Sequence, residues 1–217
     1  MTINKRVATF MLAVSALYIV FGIFKFWYLD ETVFTNFSRP TPNMSLVKFF
    51  WLTISAGLLV LIINIGQLWV LKIFKEKKWV RSGLIVFFCG QALIFLLPLT
   101  TLFGSANYNI AQIQFLVQIT GKVSTAYMLI TFAFVRNRNI RRYYWGFAGL
   151  LLLCHLVTYF GPILYDDFGY AWLLINGDVI FFIPFLCSLT LFVEIFNLSR
   201  QQNNLANIKI ETTGLTE

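Results

Sequence analysis

The sequence predicts an all-α polytopic membrane protein with six transmembrane helices and both termini in the cytoplasm. Three observations predict this class. Of the 217 residues, 59% are hydrophobic and only 12% are charged, whereas a soluble domain has about 25% charged residues. Six apolar stretches are each long enough to cross the bilayer, which takes about 20 helical residues. Finally, the cationic residues are concentrated in alternate loops between these stretches.

The predicted spans contain between 21 and 25 residues each. Backbone polar groups must be satisfied within lipid, so these stretches are predicted as helices. The first follows Lys5 and Arg6, as a signal peptide would, but its apolar run is too long and no cleavage pattern of small residues follows Tyr28. We therefore expect it to be a retained helix. The spans, in order, are Val7–Tyr28, Phe49–Leu71, Gly83–Phe103, Ile110–Phe134, Tyr143–Tyr165 and Ala171–Phe192.

Tryptophan residues support these boundaries. All six lie near the end of a span, which is typical of the aromatic belt at the level of the lipid headgroups. They are Trp27, Trp51, Trp69, Trp79, Trp145 and Trp172.

The distribution of Lys and Arg predicts the orientation of the spans. The opposite loops contain only Arg39 and Lys48, and an excess of cations marks the cytoplasmic side. We therefore expect a multi-pass protein of the plasma (inner) membrane. The thirteen cations on the predicted cytoplasmic side are Lys5, Arg6, Lys72, Lys75, Lys77, Lys78, Arg81, Arg136, Arg138, Arg141, Arg142, Arg200 and Lys209.

The predicted organisation is one six-helix transmembrane domain, residues 1–198, followed by a polar, disordered cytoplasmic tail, residues 199–217. The longest outer loop, Asp30–Lys48, has only 19 residues and contains two prolines, so it is too short to fold as a domain. Any binding site or chemistry is therefore expected among the helices or at their ends.

Polar residues within the fourth span form the first candidate site. A charged group at the centre of a bilayer costs roughly 2.5–3.5 kcal/mol on insertion scales. Gln114, Gln118, Lys122 and Thr125 fall within a stripe of about 80° on one helix face, at 100° per residue. This stripe must face protein or water. It is either the wall of a solute or ion path, or a set of interhelical hydrogen bonds.

Three further residues complete the predicted path. Asp178, in the sixth span, is the one carboxylate predicted deep in the membrane, and Lys122 is its natural partner, with Lys25 as the rival. His155, in the fifth span, is the single histidine, so a haem with two histidine ligands is excluded. It is either a proton relay with Asp178 or a neutral core residue. Gln91 lies at mid-depth in the third span. The predicted substrate or ion path is thus Gln91, Gln114, Gln118, Lys122, His155 and Asp178.

These residues favour a transporter, a channel-like protein or a membrane solute-binding subunit. The alternatives are a membrane-embedded enzyme acting on a lipid, quinone or isoprenoid, and a non-catalytic membrane complex or assembly subunit. No nucleotide-binding, zinc-protease or hydrolase motif is present, so no catalytic residue, metal ligand or cofactor is predicted. The expected partners are the lipid bilayer, a small molecule or ion, and a membrane or cytosolic protein docked on the basic loops. The formal charge of +8 argues against a nucleic-acid partner by its distribution, because the cationic residues cluster in short loops between the spans, where they set orientation.

Overall fold

The computed structural model describes residues 3–34, 46–103, 108–164 and 182–214. These residues form six α-helices and no strand, which confirms the all-α prediction for this part of the chain. The helices are α1 (Lys5–Phe34), α2 (Leu46–Ile73), α3 (Lys78–Phe103), α4 (Tyr108–Phe132), α5 (Arg138–Leu164) and α6 (Ile183–Gly214).

Four of these helices are long and apolar enough to cross a membrane. The qualifying segments are Lys5–Phe24, Ile54–Ile73, Phe115–Phe132 and Ile183–Gln202. The chain is therefore compatible with a membrane-embedded helical protein. Six crossings and cytoplasmic termini stay predictions. Residues 171–181 of the sixth predicted span lie outside the described residues, and α6 continues to Gly214, through most of the segment for which a tail is predicted.

The helices pack as a ring in chain order, and α6 closes the ring against α1. The contact between α3 and α4 is the most extensive, whereas neighbouring α4 and α5 touch least. Ile3 N–H donates to Gln202 Oε1 at 3.1 Å, so the N-terminal residues meet α6 at one end of the ring. Lys72, in the last turn of α2, lies at this same end, which is called the basic end below.

Small residues explain how closely α3 and α4 approach. A Cβ atom at Gly83 would overlap the Thr131 hydroxyl, and one at Gly90 would overlap the Ser124 hydroxyl. Both pairs are spaced seven residues apart on their helices, so the same face is used twice. Each hydroxyl donates within α4, Ser124 to Gly121 O and Thr131 to Met128 O, both at 2.8 Å. Ser124 and Thr131 therefore pack closely against the two glycines with their hydroxyl protons already paired.

Aromatic side chains join α4 and α5 at the basic end. Phe132 packs edge-on against Tyr144 with ring centroids 4.9 Å apart. Trp145 Nε1 donates to Phe132 O at 3.1 Å. Phe147 continues this cluster towards α6, where its ring centroid lies 5.3 Å from that of Phe185. The two helices are thus fixed together at one end, and their separation begins deeper in the bundle.

Candidate functional site

A cavity of about 450 Å³ lies between α4 and α5. It is called the α4–α5 cleft below. Its size is within the usual range for a small-molecule site, about 300–1,000 Å³. Three lining residues can form hydrogen bonds, and the other four are apolar. The lining is Lys122, Thr125, Ala126 and Leu129 from α4 and Leu152, His155 and Leu156 from α5.

Helix register places Lys122 and His155 at the same depth. Phe132 and Trp145 are hydrogen-bonded at the basic end. Lys122 lies ten residues before Phe132 and His155 lies ten residues after Trp145. Since a helix rises 1.5 Å per residue, both side chains are about 15 Å from this contact. The two basic residues therefore face one cleft near mid-depth.

The chemistry of the cleft is basic and partly apolar. Lys122 is exposed and forms no hydrogen bond or ion pair with any described residue. The Thr125 hydroxyl is buried and donates to Gly121 O at 2.9 Å, so its oxygen is left as an acceptor. His155 is half-buried and interacts electrostatically with Lys122. No described lining residue carries a negative charge.

The predicted site residues do not all meet here. Lys122 and His155 line the cleft, whereas exposed Gln118 and half-buried Gln91 do not. Gln114 belongs to α4, but its side chain lies outside the described part of the chain. Asp178 also lies outside the described residues, so its pairing with Lys122 stays a prediction.

The sequence reasoning did not single out Glu76, which links two loops at the basic end. Its carboxylate accepts the Arg136 N–H at 3.1 and 3.2 Å and the Asn137 N–H at 2.7 Å. Asn137 caps α5, because its Oδ1 accepts the Asn139 N–H at 3.0 Å. A carboxylate at a helix N-terminus is stabilised by the helix dipole. Glu76 therefore connects the α2–α3 turn to the start of α5.

Local backbone geometry turns Glu76 inward. Glu76 N–H bonds to Leu71 O at 3.0 Å and Lys75 N–H bonds to Lys72 O at 3.1 Å. This pattern is a Schellman motif, in which the residue after the helix is left-handed. Lys75 occupies that position with φ 53°. The sequence does mark Glu76 as unusual, because it is the single acidic residue in the segment 72–81, which contains five basic residues.

Metal ligation has no candidate in the described residues. They contain no group of three or more His, Cys, Asp or Glu side chains that could hold a metal ion. The three cysteines are separate free thiols: Cys89 is exposed, Cys154 is buried and Cys187 is half-buried.

Comparison of the chain with protein-family models, with curated protein sequences and with solved structures gives no match.

Proposed function

We propose that the protein is a membrane transporter or membrane solute-binding subunit that takes an organic anion into the α4–α5 cleft. The observation that supports this most directly is the convergence of Lys122, Thr125 and His155 on one cavity. Lys122 and Thr125 come from α4 and His155 comes from α5.

The charge of the cleft favours an anionic ligand. An ammonium group at mid-depth is expensive in a bilayer, and a ligand carboxylate or phosphate would offset that cost. Thr125 Oγ1 and the His155 ring offer hydrogen bonds beside it. A free anion without an apolar part would leave the leucine side chains in contact with polar groups.

The apolar lining defines the rest of the ligand. Leu129, Leu152 and Leu156 form much of the wall, and apolar walls with a few polar groups are typical of sites for organic molecules. The ligand class is therefore an amphipathic organic anion with one acidic group and an apolar body.

A fluorescent dansyl fatty acid tests this proposal, with its uncharged methyl ester as the matched ligand. We expect saturable binding of the acid to the purified protein in nanodiscs, and much weaker binding of the ester. Lys122→Met should lower the affinity for the acid about tenfold, the equivalent of 1.4 kcal/mol, whereas Lys122→Arg should retain most of it. No saturable binding to the wild type, or equal affinity in Lys122→Met, would contradict the proposal. Transfer of the probe across proteoliposomes then separates a transporter from a binding subunit.

A second candidate is an enzyme acting on a lipid, quinone or isoprenoid. It is favoured by the exposure of Lys122, Leu152 and Leu156 at the wall of the cleft, because a lipid-like substrate could enter from the side. His155 would then act as the acid or base, since histidine ordinarily titrates between pH 5 and 8. Conversion of a bound substrate that is lost in His155→Gln, with binding retained, would support this candidate over the first.

A further inference from the structure

One face of α5 has two arginines at its start and apolar residues further along. At 100° per residue, the members of this face fall within a stripe of about 80°. The stripe begins in the first turn of α5 and ends at two residues that line the α4–α5 cleft. It is called the α5 stripe below and consists of Arg138, Arg141, Trp145, Gly149, Leu152 and Leu156.

The outer part of the stripe lies where the apolar part of the bundle ends. Trp145 Nε1 donates to the carbonyl oxygen of Phe132, the last residue of the apolar segment of α4. Tryptophan side chains favour the boundary between acyl chains and lipid headgroups. Arg141 lies one turn further out, about 6 Å along the helix axis. Its guanidinium carbon lies 4.9 Å from the centroid of the Trp145 ring, so the cation is held beside the indole at the level of lipid phosphates.

The two arginines of the stripe have no anionic partner among the described residues. Arg138 is exposed and Arg141 is half-buried, and neither forms an ion pair within the described part of the chain. Glu76 does not compensate them, because it is 5% exposed and its carboxylate accepts the N–H groups of Arg136 and Asn137. Two cations one turn apart therefore face the surroundings of the helix on one side.

The inner part of the stripe is an exposed apolar surface with a notch in it. Trp145 is 49% exposed, Leu152 47% and Leu156 44%. Gly149 lies between the indole and the leucines, and nothing is within 4 Å of a Cβ atom placed there. The missing side chain leaves a shallow groove along the helix, with the cations at its outer end.

From this arrangement we propose that the α5 stripe is a binding site for an anionic phospholipid. The phosphate pairs with Arg141 and Arg138, and one acyl chain lies along Trp145 and over Gly149 towards Leu152. A zwitterionic lipid binds less well, because its ammonium group would face the same two arginines. A soluble anion would leave the apolar part of the stripe uncovered. The proposal does not depend on the ligand proposed for the cleft.

Native mass spectrometry of the purified full-length protein tests this proposal. The protein is titrated with phosphatidylglycerol and with phosphatidylcholine of the same acyl chains. We expect the first phosphatidylglycerol molecule to bind more tightly than the first phosphatidylcholine. Arg141→Gln should weaken the binding of this phosphatidylglycerol about fivefold, and Arg141→Lys should retain most of the affinity. Equal affinities for the two lipids, or an unchanged affinity in Arg141→Gln, would overturn the proposal.

Arg142→Gln is the matched control, because it removes the same charge from the next residue. The Arg142 guanidinium is directed to Tyr143: its Nη2 donates to the Tyr143 hydroxyl at 2.8 Å, and its carbon lies 4.7 Å from the ring centroid. We expect the affinity of this variant for phosphatidylglycerol to stay close to that of the wild type. Equal losses in Arg142→Gln and Arg141→Gln would indicate a diffuse attraction to the basic end instead of a site, and would overturn the proposal.

Gly149→Leu tests the position of the acyl chain. The space around Gly149 accommodates the new side chain, so the unfolding temperature should not change, whereas the affinity for phosphatidylglycerol should fall several-fold. Glycerol phosphate, which has the phosphate without acyl chains, should not displace the lipid. An unchanged affinity in Gly149→Leu, or displacement by glycerol phosphate, would overturn the proposal.

Lys122→Met separates this site from the cleft. It should leave the affinity for phosphatidylglycerol unchanged, whatever its effect on the dansyl fatty acid. A loss equal to that of Arg141→Gln would place the phospholipid beside Lys122 and would overturn its assignment to the α5 stripe.

Discussion

Helix α4 packs against α3 on one side and against α5 on the other, and the two contacts differ in kind. Against α3, glycines meet hydroxyl side chains, and the space between them has no room for a Cβ atom at Gly83 or Gly90. Against α5, the contact is tight at Phe132 and Tyr144, and ten residues deeper it gives way to the α4–α5 cleft.

This difference shows how α4 can pack closely against one neighbour and line a cleft on the side that faces the other. The face towards α3 carries Ser124 and Thr131, short side chains that satisfy their hydroxyls internally. The face towards α5 carries Lys122, a long side chain whose charge cannot be satisfied within its own helix. The close α3–α4 contact therefore fixes the backbone of the helix that carries Lys122, while the looser α4–α5 contact leaves room for a ligand. Four predictions test this comparison.

The largest effect is expected from filling the α3–α4 contact. Gly90→Leu places a branched side chain where even a Cβ atom overlaps Ser124. Overpacking of this kind costs about 1–3 kcal/mol and sometimes more, so we expect a large fall in the unfolding temperature or loss of folded protein. Gly149→Leu is the matched control, because nothing lies within 4 Å of a Cβ atom there. Equal effects of the two substitutions would mean that α3 and α4 do not pack through Gly90.

The next largest effect is expected from Glu76, which holds α5 to the rest of the bundle at the basic end. Glu76→Ala leaves the Arg136 and Asn137 N–H groups without their acceptor, and hydrogen bonds to charged groups contribute about 1.5–3 kcal/mol. We expect a loss of about 2 kcal/mol in the free energy of unfolding, measured by chemical denaturation in detergent. Glu76→Gln should recover part of it, since an amide oxygen still accepts. Glu194→Ala, at a half-buried acid outside this link, is the control; an equal loss there would rule out a specific role for Glu76.

Narrowing the cleft should affect binding without affecting folding. Leu152→Trp adds bulk to a lining residue that is 47% exposed, and Leu153→Trp adds the same bulk to a neighbour that is 55% exposed and does not line the cleft. We expect Leu152→Trp to weaken binding of the dansyl fatty acid about tenfold, or 1.4 kcal/mol, with an unchanged unfolding temperature. Similar affinities in the two variants would place the ligand outside the cleft.

The smallest effect is expected at Gln118, one turn from Lys122 on the same helix. Gln118 is exposed and does not line the cleft. Gln118→Leu should leave probe affinity within about twofold, less than 0.5 kcal/mol, and should leave the unfolding temperature unchanged. A loss comparable to that of Lys122→Met would show that the binding surface continues along α4 beyond the cleft.

Gln118 and Lys122 also show which feature of a binding site helical periodicity does not predict. Both belong to the polar stripe predicted for the fourth span, because residues four apart share a helix face. Of this stripe, Lys122 and Thr125 line the cleft and Gln118 does not. Periodicity gives the direction of a side chain about its own axis. It does not give the depth at which the neighbouring helix diverges, which is set here by the contact between Phe132, Tyr144 and Trp145.

The sequence indicates buried neutral polar residues less clearly than it indicates charged residues. The sequence makes Lys122 and His155 conspicuous, because ionisable groups are rare in apolar helices. Ser15 and Ser188 carry no such signal, since serine is common within transmembrane helices. The hydrogen bond between Gln67 and Ser188 depends on α2 and α6 being brought together by the fold.

Composition and chain length by themselves determined that this protein is helical and suited to a membrane, because a backbone in lipid must satisfy its own hydrogen bonds. The rarity of charge within the apolar stretches also marked Lys122 and His155 as candidates. Only the tertiary structure decided which polar groups meet. The register between helices depends on side-chain contacts such as those of Gly90 with Ser124 and Phe132 with Tyr144, and these contacts join residues that are far apart in the sequence.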